Sequence, residues 1–480
     1  MISIGKAAFD SCFNLADVTI HAPRTSGSKV PNLYEGVFDG NRGPLTIYVP
    51  YGSLERYKTA PTWENYESMI YPWLQKSVAG YGISVVSNKW VFIASPLAEN
   101  TAPSEIEGMI AENATEYDLY RFNQSAAAEW ENYKKEGDHY HFELENGRGY
   151  LYANKENVDI VFKGTFNEEA SQDVSLACSG DGELKGWNLV GNPFPYNATV
   201  TGRSFYVMNP AGTGLNPNAG SSGLSVPACN GIVVKAESTE TNPIVTFSKP
   251  GLRGQSINQG SLQIAVAIDT CSDAVEDMAV ISFNKGDQLS KFYFGQNNAN
   301  IYIPQDNKEY SIVVSEAFGS MPLNFVAKEN GRYALTVIPE NVEMNYLHLI
   351  DNLTGADVDL LATPTVIADE DLISLAPSYT FTAKTTDYAS RFHLVFSVSG
   401  DANGGDAPFA FINNGQIILV GIDGDAGAAS IQIVDVMGRV LVCRDALNAS
   451  PISIKGMAPG VYVLRLINGD DVKMQKIVVP

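Results

Sequence analysis

The chain is poor in the residues on which metal and catalytic sites usually depend. Its 480 residues include 5 histidines and 5 cysteines, and no two cysteines form a C-x-x-C pair. This spacing excludes a zinc knuckle and a disulfide-dense miniature fold. The sequence also lacks the G-x-S-x-G, H-E-x-x-H, P-loop and dinucleotide-binding glycine patterns. We therefore predict no cofactor and no catalytic or metal site, and these absences favour a binding protein over an enzyme.

Long apolar runs and positive charge are scarce as well. No stretch of 18 apolar residues occurs, which predicts that no helix crosses a membrane. Lys and Arg number 32 against 54 Asp and Glu, a net charge of −22. Such a surface repels phosphate backbones and anionic lipid, so we expect neither nucleic-acid nor peripheral membrane binding. In residues 409–480 acids and bases balance, so the whole excess lies in residues 1–408.

The odd number of cysteines leaves at least one thiol free. Cys178 and Cys229 fall in one predicted domain and are the pair that can form a bridge, although the sequence does not decide it. We favour buried free thiols, because cysteine often behaves as a small apolar side chain. The cysteines are Cys12, Cys178, Cys229, Cys271 and Cys443.

Composition and length together predict a mainly β chain of three or four domains. Hydrophobic residues make up 45% of the chain, with 42 Gly, 24 Pro, 23 Tyr and 21 Phe. Abundant aromatic residues suit strands, and glycine and proline suit the turns between them. The length exceeds what one hydrophobic core supports. Hence we predict several β-rich domains, and the local patterns that follow indicate what each of them is.

Residues 1–75 carry the spacing of a repeat followed by a cap. Apolar positions from Ile4 to Ile20 suit a short helical turn and then a strand, and a weaker copy follows over residues 33–49. Val49-Pro-Tyr-Gly-Ser then leads into a predicted helix that ends near Trp63. This order resembles the BspA-like leucine-rich repeats of Bacteroidetes surface antigens. The resemblance implies a solenoid stub with its terminal cap.

Fewer than two full repeats are present, whereas solenoids usually need about three to bury a continuous core. We interpret residues 1–75 as the end of a longer array that also packs on the following domain. No signal peptide precedes Ile2, and an upstream extension explains its absence.

Residues 76–250 are predicted to form a β-rich module. Its most distinctive stretch, GWNLVGNPF at 186–194, resembles a module common in secreted Bacteroidetes proteins. Trp187, Leu189 and Phe194 suit core anchors, with an exposed sugar-stacking platform as the less favoured alternative. We also predict helices over 104–112 and 126–133.

Residues 209–223 are predicted to form a long polar loop, which is a weak candidate for recognition. Residues 251–400 show strands at the spacing of a β-sandwich, and residues 397–408 are predicted to be a flexible linker. This β-sandwich resembles the one that precedes the terminal domain in many exported Bacteroidetes proteins.

Residues 409–480 carry the most specific pattern. A D..GR turn, a PG.Y..R strand and a final lysine-bearing strand occur in order, which resembles the C-terminal sorting domain of the type IX secretion system. The resemblance implies a small C-terminal immunoglobulin-like β-sandwich that serves as an address read by the outer-membrane translocon, with a generic immunoglobulin-like packing domain as the alternative. We expected Tyr462 and Leu464 to face opposite sides of their strand. The motif positions are Asp435, Gly438, Arg439, Pro459, Gly460, Tyr462, Arg465 and Lys476.

These patterns favour a non-catalytic cell-surface or secreted adhesion protein that binds an extracellular protein or glycan. An exported hydrolase acting on glycans or proteins and a structural surface stalk remain alternatives. His139 and His141 share a predicted strand face, but a solvated strand edge is the favoured interpretation over a metal site.

Overall fold

The structure is a computed structural model in which the chain separates into two units, Met1–Ser256 and Ile257–Pro480. Each unit has its own buried apolar cores. The structure describes residues 3–22, 29–40, 44–82, 89–135, 141–219, 225–250, 260–268, 275–283, 286–294, 298–316, 318–361, 378–398, 409–413, 415–419, 429–445, 451–468 and 471–479.

The first unit begins with two parallel strand ladders that repeat at one interval. Ser3 lies opposite Asn32 and Asp17 lies opposite Thr46, so both ladders join residues 29 positions apart. A repeat of this kind stacks one coil of chain on the next. The elements are β1 (Ser3–Ile4), β2 (Asp17–Thr19), β3 (Asn32–Leu33), β4 (Thr46–Pro50), the 3₁₀ turns Tyr51–Ser53 and Trp63–Met69, α1 (Leu54–Lys58) and β5 (Ile70–Val78).

The helix predicted after Val49-Pro-Tyr-Gly-Ser is present as α1, and it closes this small core. Trp63 is fully buried, packs edge-on against Tyr57 at 4.8 Å, and donates its indole N–H to the carbonyl of Pro31 at 2.7 Å. Truncating a buried tryptophan costs about 3–5 kcal/mol. By contrast, the first predicted helical turn is a series of hydrogen-bonded turns over residues 6–14.

Strand β5 continues the parallel sheet into the next part of the chain. It pairs with β4 in parallel, and on its other side it pairs in antiparallel fashion with the strand Val158–Lys163, which is β10. The remaining strands of this unit are β6 (Val91–Ala94), β7 (Tyr117–Phe122), β8 (Trp130–Asn132), β9 (Gly149–Asn154), β10 (Val158–Lys163), β11 (Ser171–Ser175), β12 (Trp187–Gly191), β13 (Ala198–Thr201), β14 (Phe205–Met208), β15 (Leu215–Asn218), β16 (Ser225–Val226), β17 (Gly231–Lys235) and β18 (Ile244–Ser248).

Three four-stranded sheets follow, in the orders β6-β9-β7-β8, β11-β18-β13-β16 and β12-β17-β14-β15. Strand β9 is buried at every position because both of its faces are covered. Isolated bridges from Ile93 to Asn230 and from Arg148 to Val190 connect the first of these sheets with the last.

The two helices predicted in this part are wrong. Residues 103–105 form only a 3₁₀ turn, and Trp130–Asn132 is strand β8. Tertiary pairing outweighs local propensity here, because Glu131 accepts hydrogen bonds from Arg121 on the neighbouring strand and Trp130 packs on Phe122 at 4.9 Å. The predicted loop 209–223 is likewise not all loop, because β15 within it pairs with β14.

The second unit opens with one continuous hydrogen-bonded path of strands. Its order is β27-β26-β29-β24-β22-β23-β20-β19-β25-β28, and β21 pairs with β23. The strands are β19 (Ser261–Ile268), β20 (Val275–Phe283), β21 (Leu289–Ser290), β22 (Asn300–Gln305), β23 (Lys308–Ser315), β24 (Phe318–Val326), β25 (Gly331–Glu340), β26 (Met344–Asp351), β27 (Ala356–Asp359), β28 (Ser378–Ala383) and β29 (Phe392–Val398).

This path curls so that its distant parts share one core. Phe381 of β28 lies 4.9 Å from Phe392 of β29 and 5.1 Å from Phe325 of β24, although β28 is at the far end of the path. Alternate residues along the strands, such as Leu262, Ile264 and Val266, are fully buried in that core. The period-2 pattern read from the sequence therefore has its structural cause in one enclosed face.

The C-terminal strands form two sheets around a separate core. Their orders are β30-β31-β34 and β33-β32-β35-β36. Tyr462 and Leu464 are both buried, so the expectation that they face opposite sides is wrong, because residues two apart in a strand share a face. The strands are β30 (Ala410–Asn413), β31 (Gln416–Leu419), β32 (Ser430–Asp435), β33 (Val440–Asp445), β34 (Ile452–Ser453), β35 (Gly460–Asn468) and β36 (Asp471–Val479).

Candidate functional site

The GWNLVGNPF stretch is structural rather than an exposed aromatic platform. Trp187 and Leu189 are buried on β12 and Phe194 is fully buried, which confirms the core interpretation. Asn192, also fully buried, donates to the carbonyls of Tyr196 and Val226, both at 2.9 Å. Its side-chain oxygen accepts the N–H of Phe194 at 3.1 Å. The asparagine thus replaces the hydrogen bonds that the turn backbone would otherwise lose on burial.

A single glutamine links this stretch to the neighbouring sheet. The Gln124 amide nitrogen donates to the carbonyls of Ala177 and Trp187 at 2.9 and 3.0 Å. Its oxygen accepts the N–H groups of Ser179 and Gly186 at 3.0 and 2.7 Å. All four hydrogen-bonding positions of the side chain are therefore used, and the wall that contains Trp187 is held in one place.

An open polar cleft of about 290 Å³ lies beside this wall. Among its lining residues, Glu145 and Arg148 form an ion pair at 2.8 Å, and Asn123, Asn188 and Ser175 supply amide and hydroxyl groups. A cleft of this character suits a ligand with hydroxyl groups. Among the described residues Glu145 is its one lining carboxylate, and that group is paired with Arg148.

Two tyrosines, Tyr48 and Tyr71, lie side by side on the outer face of the parallel sheet, and we call this pair the tyrosine row. Tyr48 of β4 lies opposite Tyr71 of β5, while their neighbours Ile47 and Ile70 point into the core. Tyr71 is 39% exposed. The ammonium group of Lys163 lies 5.4 Å from the Tyr48 ring centroid, within reach of a cation–π contact.

The D..GR pattern near the C terminus forms a tight turn between β32 and β33. One carboxylate oxygen of Asp435 accepts the N–H groups of Met437 and Arg439, each at 2.9 Å, and the other accepts Arg439 Nε at 2.7 Å. Gly438 has φ +81°, which glycine adopts without steric cost. The Arg439 N–H, helped by the Arg439 guanidinium and the Met437 N–H, holds the pKa of Asp435 below its usual range, although desolvation acts in the opposite direction.

The neighbouring strand places the next motif residues at the same end of the sheet. Tyr462 lies opposite Asp435 in the ladder and donates its hydroxyl to the carbonyl of Ala458 at 2.7 Å, across Pro459 and Gly460. The last two motif positions lie elsewhere. Arg465 lies opposite Gln432, and Lys476, which is on β36, lies opposite Val463.

This turn and the strands around it lie in a region that is similar to a known family. Residues 414–480 match the secretion system C-terminal sorting domain. The sorting domain delivers the protein through the type IX secretion system, so the protein is exported to the cell surface, the outer membrane or the medium. A comparison with curated proteins finds no match to the chain. No helix among the described residues has the length and hydropathy needed to cross a membrane.

The sorting domain also has an exposed apolar face that the motif pattern did not predict. Val472, Met474 and Val478 alternate along β36 and are each more than half exposed. Their spacing of two was visible in the sequence, but the sequence does not show which face of a strand is covered.

Other predictions about single residues have different outcomes. Cys178 and Cys229 are free thiols, as favoured, but only Cys229 is buried, because Cys178 is half-buried and Cys12 and Cys443 are exposed. Cys271 lies outside the described residues. His141 packs edge-on against Tyr133 at 5.3 Å, whereas His139 lies outside the described residues. Gln124 was missed, because an isolated glutamine beside a predicted helix carries no pattern that would single it out.

Proposed function

We propose that the protein is a non-catalytic surface-binding protein whose N-terminal coils are BspA-like leucine-rich repeats of the Bacteroidetes type. The two ladders with a common interval of 29 residues support a solenoid, as does the cap formed by α1 and Trp63. Solenoids stack coils into extended sheets that serve as contact surfaces. The C-terminal sheets that share one core support an immunoglobulin-like sorting domain.

The tyrosine row is the observation that carries this proposal. Tyr48 and Tyr71 stand side by side on the outer face of the stacked strands, next to the cation of Lys163. Rigid aromatic side chains contribute a large contact area at low entropic cost and are common at binding hot spots. We therefore infer that an extracellular protein or glycan docks on this face.

The test is a binding screen of the full chain against immobilised mucins, matrix proteins and glycans. Tyr48→Ser with Tyr71→Ser is expected to weaken binding by about tenfold or more, because hot-spot truncations cost more than about 1–2 kcal/mol. Tyr34→Ser is the matched control, since Tyr34 is 53% exposed and lies outside the row. Binding that survives the double substitution would remove the row from recognition.

An exported hydrolase has weaker support from the polar cleft. Glycoside hydrolysis normally needs two carboxyl groups across the substrate, whereas Glu145 is the single lining carboxylate and is paired with Arg148. Hydrolysis of a glycan by the wild-type chain that is lost in Glu145→Gln and kept in Glu143→Gln would favour the hydrolase. A structural stalk predicts no binding to any member of the panel.

A further inference from the structure

A second and smaller cavity in the first unit has an unusual charge for this protein. Its volume is about 170 Å³, and its lining, as far as the described residues go, includes Lys76, Lys89 and Trp90 but no Asp or Glu. The chain as a whole has 54 acidic and 32 basic residues. A cavity with two lysines and no acid therefore departs from the general character of the surface.

Lys76 is a half-buried cation in the lining of this cavity. It lies on β5, and its ammonium nitrogen is 2.6 Å from the side-chain oxygen of Asn230. An ammonium group has three donors, so two remain for other acceptors. Within the described part of the chain, no carboxylate forms an ion pair with Lys76. Burial lowers the pKa of Lys76, which the nearby Cys229 thiol opposes.

A half-buried cation that lacks an anion loses part of its hydration, and a bound anion would compensate for that loss. Lys89 is exposed at the rim and adds a second positive charge. The amide nitrogen of Asn230 has no acceptor among the described residues and adds a neutral donor. The polar part of the cavity therefore suits a carboxylate with hydroxyl groups beside it.

The lining also includes apolar side chains, and a glycine lies against the backbone of one of them. Trp90 is half-buried and packs edge-on against Tyr120 at 5.8 Å, with Phe92 and Met208 beside it. The backbone N–H of Trp90 donates a hydrogen bond to the carbonyl of Gly212 at 3.0 Å. A Cβ at Gly212, whose φ is +70°, would lie 2.7 Å from the Trp90 backbone. Only glycine therefore fits at this position of the loop, which belongs to the predicted 209–223 segment and lines the cavity.

We propose that this cavity binds a carboxylate-bearing sugar, such as a terminal uronic acid unit, with the carboxylate on Lys76 and the C–H face of the ring on Trp90. The volume is below the roughly 300–1,000 Å³ of pockets for drug-sized ligands, so it fits one ring rather than an extended chain. Aromatic surface on one side and a few directed polar groups on the other are what a sugar acid requires. The cavity shares no residue with the tyrosine row, so the two proposals can fail separately.

The experiment uses the full chain with free glucuronate as the probe, followed by ligand-observed saturation-transfer NMR and titration. Glucose tests whether the carboxylate is read, and a short acidic peptide tests whether the sugar ring is read. We expect glucuronate to bind and both comparison ligands to bind at least about tenfold more weakly, because a charge-assisted hydrogen bond is lost in one case and ring contacts in the other.

Lys76→Met keeps the aliphatic stem and is expected to weaken glucuronate binding about tenfold or more. Lys89→Gln, an exposed change that leaves the core intact, is expected to weaken it about two- to fivefold. Lys155→Met is the control, because Lys155 lies outside the cavity, and it should bind as the wild type does. Retained melting temperatures show that the variants are folded.

Three results would overturn the proposal. They are no glucuronate binding by the wild type, equal binding of glucose or the acidic peptide, and unchanged binding in both lysine variants. If Lys76→Met does not fold, Lys89→Gln and the ligand series still decide the matter.

Discussion

Two buried acidic side chains in the second unit, Asp277 and Asp351, differ in how well neighbouring groups compensate for their desolvation. Burial raises the pKa of Asp277, and neither the ammonium of Lys291 nor the N–H of Ile301 reverses this. Burial also acts to raise the pKa of Asp351, but the hydrogen bonds from Arg391 and from the Leu353 N–H, together with the charge of Arg391, outweigh it and the pKa is lowered. A planar guanidinium satisfies both carboxylate oxygens at once, which a single ammonium group does not do.

Arg391→Met is expected to destabilise the second unit by about 3–5 kcal/mol, because it leaves the Asp351 carboxylate buried without its partner. Arg391 is 1% exposed and donates to the two Asp351 oxygens at 3.1 and 2.8 Å. Its guanidinium also lies 4.5 Å from the Phe381 ring centroid. Equilibrium denaturation measures the loss. The double variant Arg391→Met with Asp351→Leu should recover part of it, and equal losses in the two variants would contradict the ion-pair explanation.

The same pair sets a pH dependence. The pKa of Asp351 is lower in the folded chain than its unfolded value of about 3.9, so the folded state binds the proton less readily. Its stabilising contribution is complete above about pH 4 and is lost as pH falls through the lowered pKa. Acid titration of the wild type should show this loss, and Arg391→Met should show less of it.

Cys229 should be unreactive in the folded chain. Burial raises the pKa of its thiol to about 12, although the Lys76 ammonium acts in the opposite direction. At pH 8 only about one thiol in ten thousand is ionised, and the thiolate is the reactive form. Iodoacetamide with peptide mass mapping should label the exposed Cys12 and Cys443 first and Cys229 only in urea. Rapid labelling of Cys229 under native conditions would show that its site opens.

Close packing between strands depends on glycine at a few crossing points. A Cβ at Gly191 would lie 2.5 Å from the Arg148 carbonyl oxygen and 2.5 Å from the Ala94 Cβ. Gly149 faces the same crossing from the other side, where a Cβ would lie 2.7 Å from the Val190 carbonyl oxygen. The isolated bridge between Arg148 and Val190 forms only because the two backbones can approach this closely.

Gly191→Ala is therefore expected to destabilise the first unit by about 1–3 kcal/mol, since backbone must move to admit the methyl group. Gly52→Ala is the control, because a Cβ at Gly52 meets no atom within 4 Å. Thermal unfolding of both variants distinguishes them. A melting temperature for Gly191→Ala equal to that of the control would show that this crossing relaxes without cost.

We expect the Asp435 turn to affect export, because its side-chain hydrogen bonds hold the shape of a turn that lies within the sorting domain. Asp435→Ala removes the acceptors for the N–H groups of Met437 and Arg439, whereas Asp435→Asn keeps an oxygen for both. We expect faster amide exchange at Arg439 and less protein at the cell surface for the alanine variant, with the asparagine variant close to wild type. Normal exchange and export in the alanine variant would contradict this role.

The two units contain separate cores, so calorimetry of the whole chain should resolve two transitions. Gly191→Ala should lower only the transition of the first unit and Arg391→Met only that of the second, because the two sites are in different cores. If either substitution moves both transitions equally, the units unfold as one cooperative system.

Much of the mainly β architecture could be predicted, because period-2 apolar alternation and turn residues are local in the chain. The helix after Val49 and a sorting domain over residues 409–480, which matches over 414–480, were predicted from local order for the same reason. Cross-strand contacts have no such signature. The pairing of Glu131 with Arg121, which makes Trp130–Asn132 a strand rather than a helix, depends on residues ten positions apart meeting in space.

Short stretches of sequence were enough to predict export, the β content and the residues of the Asp435 turn, because these features depend on interactions between residues that are near neighbours in the chain. The tyrosine row, the polar cleft and the lysine-lined cavity are different, because each joins side chains from strands far apart in the chain. Lys76 and Asn230 are separated by 154 positions, yet their side chains are in hydrogen-bond contact. Only tertiary pairing of strands decides which distant polar groups share one cavity, since no local pattern encodes that register.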